Sequence, residues 1–199
     1  MNIDIAACQL KVTESKDQNL ENAARMITQA AGHADLIILP EMFNCPYSIQ
    51  YFGQYAEEYP GISTNMLSSL ARQLNKFIIG GSIPEREGDS IYNSCFVFGP
   101  QGSLIARHRK IHLFDVDIAQ GISFQESAVL SAGNQVTVFE TEWTKIGVCI
   151  CYDMRFPELI RSMARQQAKL IVVPAAFNMT TGPAHWHLVT RSRALDHQV

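Results

Sequence analysis

Lys145 to Glu158 reads KIGVCICYDMRFPE, an apolar run from Ile146 to Ile150 that delivers one thiol, Cys151, into a polar turn ahead of a helix. Backbone N–H groups at such a strand-to-helix turn point outward and stabilise a thiolate or an oxyanion, and Arg155 adds positive charge close by. The chemistry on offer is nucleophilic. Cys149, two residues earlier on the same strand face, reads as a small apolar core residue. Buried free cysteines are common, so spacing alone gives Cys151 no better than an even claim to catalysis. Glu41 ends a buried strand and Lys110 follows a hairpin in HRKIHLF. Taken singly, Glu41 reads as a loop or cap carboxylate and Lys110 as a solvated lysine, and no fixed spacing joins them to Cys151. Arg155 can hold a carboxylate by two parallel hydrogen bonds, worth ~1.5–3 kcal/mol when charge-assisted. Its alternative is an ion pair with Glu158.

These residues need strands and helices to bring them together. Ile3 to Leu10 alternates as a strand, and Ser15 with Gln18 makes a capping box before a helix that carries Leu20, Ala23, Ala24, Ile27 and Ala31 on one face. Leu36 to Leu39 is a buried strand, Pro46 to Gly61 a loop, and Met66, Leu67, Leu70, Ala71 and Leu74 mark a second helix before a strand at Phe77 to Ile79. Ile91 to Phe98 turns at Gly99-Pro100-Gln101-Gly102 into Ser103 to Arg107 as a hairpin. Val136 to Phe139 and Lys145 to Ile150 pair as strands, and Pro157 opens a helix that runs to about Gln167, because proline suits a first turn whose N–H goes unpaired anyway. A strand at Leu170 to Val173 and a helix near Ala184 to Asp196 follow, with Gly182 and Pro183 shaping the helix start and Trp186 in the core.

One internal similarity organises the list. Leu36 to Asn44 reads LIILPEMFN and Leu170 to Asn178 reads LIVVPAAFN, each preceded by a strand and an amphipathic helix. Two related halves of alternating strands and helices predict an α/β fold, a four-layer α-β-β-α sandwich whose strand ends converge on one site. Glu41 then comes from one half and Cys151 from the other. The second half supplies fewer strands, so the sequence predicts a sandwich lacking C-terminal strands, with an open sheet edge prone to association.

At 199 residues, with 47% hydrophobic and 18% charged, the chain can bury a large core as one domain. A net charge of −3 leaves no basic surplus for phosphates, and the run Arg107-His108-Arg109-Lys110 is too short for a nucleic-acid face. No apolar run approaches the ~20 residues that span a bilayer, so the reading excludes a membrane partner and places the protein in the cytosol or a similar reducing compartment. Five cysteines, odd in number and mostly within strand-like runs, argue for free thiols. His108 with His112, and His185 with His187, lack a further ligand at metal spacing, so neither metal nor cofactor is expected.

In combination the segments resemble the nitrilase superfamily of carbon–nitrogen hydrolases: LPEMF around Glu41, RKIHLFD around Lys110 and CYDMRFPEL around Cys151. SFQES around Glu126, AFNMTTGPAHW from Ala176 and RSRALDHQV at the end are most similar to its omega-amidase branch. The resemblance implies one carbon–nitrogen hydrolase domain over residues 1–199, C-terminally incomplete, and a homodimer or larger assembly. It implies Glu41 as general base, Cys151 as nucleophile, and Lys110 with the Tyr152 backbone N–H as oxyanion donors. Glu126 would orient the lysine and the substrate; without the resemblance it reads as a surface loop acid. The implied substrate is a short α-keto dicarboxylic monoamide, with Arg155 on its carboxylate and Thr180 and Tyr47 as further contacts. Alternatives are another amidase of the superfamily, acting on deaminated glutathione or N-carbamoyl compounds, or an inactive or assembly subunit.

Overall fold

The computed structural model describes residues 2–118 and 122–199. Its main sheet joins β1 (Ile5–Ala7), β2 (Leu36–Ile38), β3 (Phe77–Ile79), β5 (Ser90–Phe98) and β4 (Ile83–Glu87) in that order, with β6 (Leu104–Arg109) on the other edge of β5. β1, β2 and β3 run parallel, and β5 is antiparallel to its three neighbours. A second sheet of three strands has the order β11 (Ala168–Val172), β10 (Lys145–Val148), β9 (Thr137–Glu140).

Strand alternation sorts the apolar residues into three layers of contact. Ile37, Ile78, Phe96 and Phe98 face outward onto Leu20, Ala23 and Ile27 of α1 (Lys16–Ala30) and Leu67 and Ala71 of α3 (Ile62–Leu74). Their neighbours Leu36, Ile79, Cys95 and Val97 face the other way and meet Phe139, Ile146, Val148, Ile150 and Val172 of the second sheet. Behind that sheet, Cys149 packs with Leu159, Ile160 and Met163 of α4 (Pro157–Arg165), and α5 (Gly182–His197) adds Trp186 and Val189. The result is the α-β-β-α sandwich read from the repeat.

The Ser15 cap forms as expected, its side chain accepting the Gln18 N–H. Three elements depart from the sequence reading. The expected loop at Pro46 to Gly61 contains a short helix, α2 (Ile49–Tyr55), held by buried Phe52. β4 was not anticipated, because Pro84 and three charged residues mask it; as an edge strand it tolerates the missing proline N–H. A separate hairpin of β7 (Asp115–Ile118) and β8 (Ile122–Gln125) stands between the lysine segment and Glu126. Trp186, expected in the core, is only half-buried at its edge.

Candidate active site

Each candidate side chain is set by backbone that the sheets hold in place. Glu41 follows β2 in a sharp turn with Met42 at φ 51°. The Met42 N–H donates to Ser82 Oγ at 3.0 Å, and the Phe43 N–H to the Ser82 carbonyl at 3.1 Å. Gly81, at φ 58°, lies so close that a Cβ there would sit 2.0 Å from the Pro40 carbonyl oxygen, so this turn needs glycine beside it. Lys110 leaves the end of β6, its N–H donating to the Asn93 carbonyl of β5 at 2.8 Å. Cys151 opens a 3₁₀ turn (Cys151–Arg155) after β10, at φ 46°, with its N–H on the Pro174 carbonyl at 2.9 Å. A non-glycine residue in the left-handed region is strained, and the surrounding hydrogen bonds hold it there.

Asp153 ties two of these turns together. Its fully buried carboxylate accepts the N–H of Ile150 at 3.0 Å, of Ile111 at 3.2 Å and of His112 at 2.8 Å. The rings of His108 and His112 lie 3.1 and 2.8 Å from it. Burial alone would raise its pKa, but the two histidines and the N–H donors outweigh burial and hold the carboxyl well below the usual range. The nucleophile's turn and the lysine's loop are thereby locked on one buried charge. His108 also spans the two sheets, bonding Thr137 at 2.9 Å.

Four side chains then converge. Lys110, fully buried, places its ammonium 3.0 Å from Glu41 Oε1 and 2.9 Å from Glu126 Oε2. Glu126, read from the sequence alone as a surface acid, is fully buried in a 3₁₀ turn. It also accepts the Tyr47 hydroxyl at 2.7 Å and the Phe114 N–H at 2.7 Å. Glu41 and Cys151 lie side by side, close enough for each to shift the other's proton affinity. The Ala176 N–H donates to Glu41 Oε2 at 2.8 Å and is near enough to Cys151 to work against the rise of its thiol pKa.

The electrostatics correct one expectation. Burial pushes the Cys151 thiol well up, the Glu41 charge adds to that, and Lys110 only partly opposes them. Arg155 does not hold a thiolate here; the resting sulfur keeps its proton. Glu41 is raised above the ordinary carboxylate range by burial, against the pull of Lys110. For Lys110 burial disfavours the charge, but Glu41 and Glu126 together override it and keep the ammonium protonated. The arrangement is a protonated thiol against a buried base, with a fixed cation alongside.

Cys151 opens on a cavity of about 270 Å³ walled by Tyr47, Phe114, Phe124, Tyr152, Arg155 and Phe177. Arg155 makes no ion pair among the described residues, with Glu158 or any other acid. Its guanidinium carbon lies 5.6 and 5.7 Å from the ring centroids of Tyr152 and Phe177, and one terminal nitrogen meets His185 Nδ1 at 3.1 Å. Its Nε is buried without a partner among the described residues. Thr180 is exposed and turns its N–H to Asn178 at 3.1 Å; Thr181, one residue on, is the threonine that reaches the cavity wall. The sequence reading missed Asn93, Asp153 and His185. Asp153 stood inside the CYDMRFPEL motif, whereas a lone asparagine in a hairpin gave no signal. Among the described residues, no group of three or more His, Cys, Asp or Glu side chains is placed to bind a metal, and no helix is long and apolar enough to cross a membrane.

Residues 4–199 match the carbon–nitrogen hydrolase family. The chain belongs to that family. It is 50% identical over 196 residues to a protein named omega-amidase NIT2 from Danio rerio and 49% identical to that of Homo sapiens, in each case covering 98% of this chain and 71% of the relative. The crystal structure of Saccharomyces cerevisiae Nit3, described as a member of branch 10 of the nitrilase superfamily, superposes with a TM-score of 0.90 at 42% identity, over 99% of this chain and 73% of that one. The C. elegans NitFhit protein gives 0.87 at 28% identity, over 98% and 49%. The carbon–nitrogen hydrolase fold thus spans the whole of the chain described.

Proposed function

We propose that this carbon–nitrogen hydrolase is an omega-amidase, releasing ammonia from the terminal amide of short α-keto dicarboxylic monoamides such as 2-oxosuccinamate and 2-oxoglutaramate. The observation that carries the substrate class is Arg155, a guanidinium without an acid partner among the described residues, on the wall of the cavity into which Cys151 opens. Relatives about half identical in sequence bear the omega-amidase name, which supports the same choice.

The geometry supports a covalent route that splits a difficult hydrolysis into two steps. Glu41 takes the Cys151 proton as the sulfur attacks the amide carbon. The oxyanion that forms is held by Lys110 Nζ and the Tyr152 N–H. An ammonium has three N–H bonds; Glu41 and Glu126 take two at short distance, and the third, which reaches the Tyr47 hydroxyl only at 3.5 Å, is weak enough to be given over to that oxygen. Glu41 then gives its proton to the amide nitrogen, the C–N bond breaks, and ammonia leaves a thioester. Water attacks the thioester carbon as Glu41 takes its proton; the C–S bond breaks, the carboxylic acid departs, and the proton returns to sulfur. A base with a raised pKa suits this shuttle, because a more basic carboxylate takes the thiol proton more readily. Glu126 holds Lys110 and, through Tyr47, one side of the cavity. No cofactor enters the scheme. Five free cysteines fit a reducing, cytosolic location, and we assign the working form to a homo-oligomer on the family resemblance.

The direct test is ammonia release from 2-oxosuccinamate and 2-oxoglutaramate by this chain and by Cys151→Ala, with a neutral amide of equal length alongside. Release that requires Cys151 and prefers the acidic amides is expected. Equal turnover of the neutral amide would move the assignment to another amidase of the family.

A further inference from the structure

The two oxygens of Glu41 are not equivalent, and a residue outside every motif noted in the sequence makes them so. Asn93, in β5 and fully buried, donates its side-chain N–H to Glu41 Oε1 at 2.9 Å. The same oxygen takes Lys110 Nζ at 3.0 Å. Oε2 receives only the Ala176 N–H, at 2.8 Å, among the described residues, and that same backbone N–H neighbours Cys151. Asn93 also accepts the Lys110 backbone N–H at 2.8 Å through its own carbonyl. One strand position therefore anchors the lysine's backbone and one oxygen of the base.

The orientation of the Asn93 amide is informative. Its Oδ1 is buried with no hydrogen-bond partner among the described residues. Turning the amide over would aim that oxygen at the Glu41 carboxylate, so only the observed orientation attracts. A side chain kept for strand packing alone gains nothing from an orphaned buried carbonyl; an apolar residue of similar size would avoid it. What the asparagine supplies is a charge-assisted donor to Oε1.

We propose that Asn93 is a positioning residue for the base: with Lys110 it saturates Oε1, so that the proton exchanged with Cys151, the departing nitrogen and the attacking water travels on Oε2. The proposal rests on the reading of Glu41 as the base. A donor to the ionised carboxylate favours that form, so removing it disfavours ionisation and moves the acid limb of kcat/KM to higher pH. A negative charge in its place moves the limb further.

The experiment compares the pH profile of kcat/KM for 2-oxosuccinamate in the unaltered chain, Asn93→Leu and Asn93→Asp, with circular dichroism confirming the fold. The expected order of acid limbs is unaltered, then Asn93→Leu higher by about one to two pH units, then Asn93→Asp higher still, with kcat lowered and KM little changed. If one variant fails to fold, the other still reads the limb. Identical limbs in the folded variants overturn the proposal and leave Asn93 as a strand residue. Glu41→Gln, run in parallel, separates this failure from that of the underlying reading. An inactive Glu41→Gln with unmoved Asn93 limbs removes only the role of Asn93, whereas an active Glu41→Gln removes Glu41 as the base and the proposal with it.

Discussion

The two halves of the molecule share one frame and use it for opposite ends. Ile5 to Ala7 pairs with Leu36 to Ile38 in the register with which Ile146 to Val148 pairs with Leu170 to Val172, and both continue into Pro-x-x-Phe-Asn. In the first half that segment turns inward. Phe43 is fully buried in the helix-facing core, and Asn44 is buried against Glu57 and Ser63. In the second half it turns outward. Phe177 is half-buried on the cavity wall, and Asn178 is exposed, capping the turn of Thr180 and Thr181. Glu41 follows the first proline, while Ala175 stands at the matching place after the second. The same backbone thus serves as a sealed mount for the base on one side and as an open wall for the substrate on the other.

The chemical half of this contrast is broken most severely at the thiols. Cys149 and Cys151 lie two residues apart, yet one faces α4 and the other Glu41. Cys151→Ala is expected to cost on the order of 10⁴-fold or more in kcat for amide hydrolysis, since nothing else supplies the covalent step. Cys149→Ala removes only a small packing atom, and ammonia assays should find its kcat within a few-fold of the parent. Equal losses would place the nucleophile elsewhere.

The packing half is tested at the paired phenylalanines. Phe43→Ala opens a cavity in a sealed core and should destabilise the fold by ~3–5 kcal/mol in urea unfolding. Phe177→Ala should cost clearly less stability, because that ring is half in solvent, but it should raise KM through the loosened wall beside Arg155. The reverse ranking would mean that the inward and outward roles have been misassigned. Lys110→Met comes next. A loss of about 10²–10³ in kcat with a small change in KM is expected from removing an oxyanion donor.

How much of this was legible from the sequence follows the same division. The repeat exposed the sandwich because two copies of one pattern cannot both be accidents of composition, and Leu36 to Leu39 and Phe77 to Ile79 are apolar runs that only a buried strand explains. β4 is masked by Pro84 and three charged residues, and the β7–β8 hairpin is two runs of only four residues, too short for their alternation to stand out; tertiary pairing to β5 or to each other makes them strands. Glu41, Lys110 and Cys151 were legible as a set through resemblance, since 69 and 41 residues respectively separate them and no local spacing unites them. Asn93 and Asp153 were not. Each acts through partners distant in sequence, and an isolated polar residue in a strand or turn gives no pattern until the fold closes. Thr180 shows the resolution limit from the other side: one residue of register decides which threonine meets the cavity.

The smallest expected effect sharpens the comparison most, because it isolates the open wall from the chemistry. Arg155 lies over two aromatic rings at 5.6 and 5.7 Å and is bonded to His185, so its planar fork is already oriented before any substrate arrives. Arg155→Lys keeps the charge and loses both the fork and the stacking. KM for 2-oxosuccinamate should rise about tenfold, equivalent to ~1.4 kcal/mol, the loss of one arm of a bidentate contact. kcat should hardly change, since the guanidinium lies away from the Glu41 and Lys110 cluster that acts on the scissile bond. For a neutral amide of the same length, KM should not move at all. A tenfold rise for both substrates would show that Arg155 shapes the cavity wall without reading a carboxylate, and the acid preference would then need another cation. An unchanged KM for both would remove the second half's open face from substrate recognition and leave the first half's buried cluster as the whole of the site.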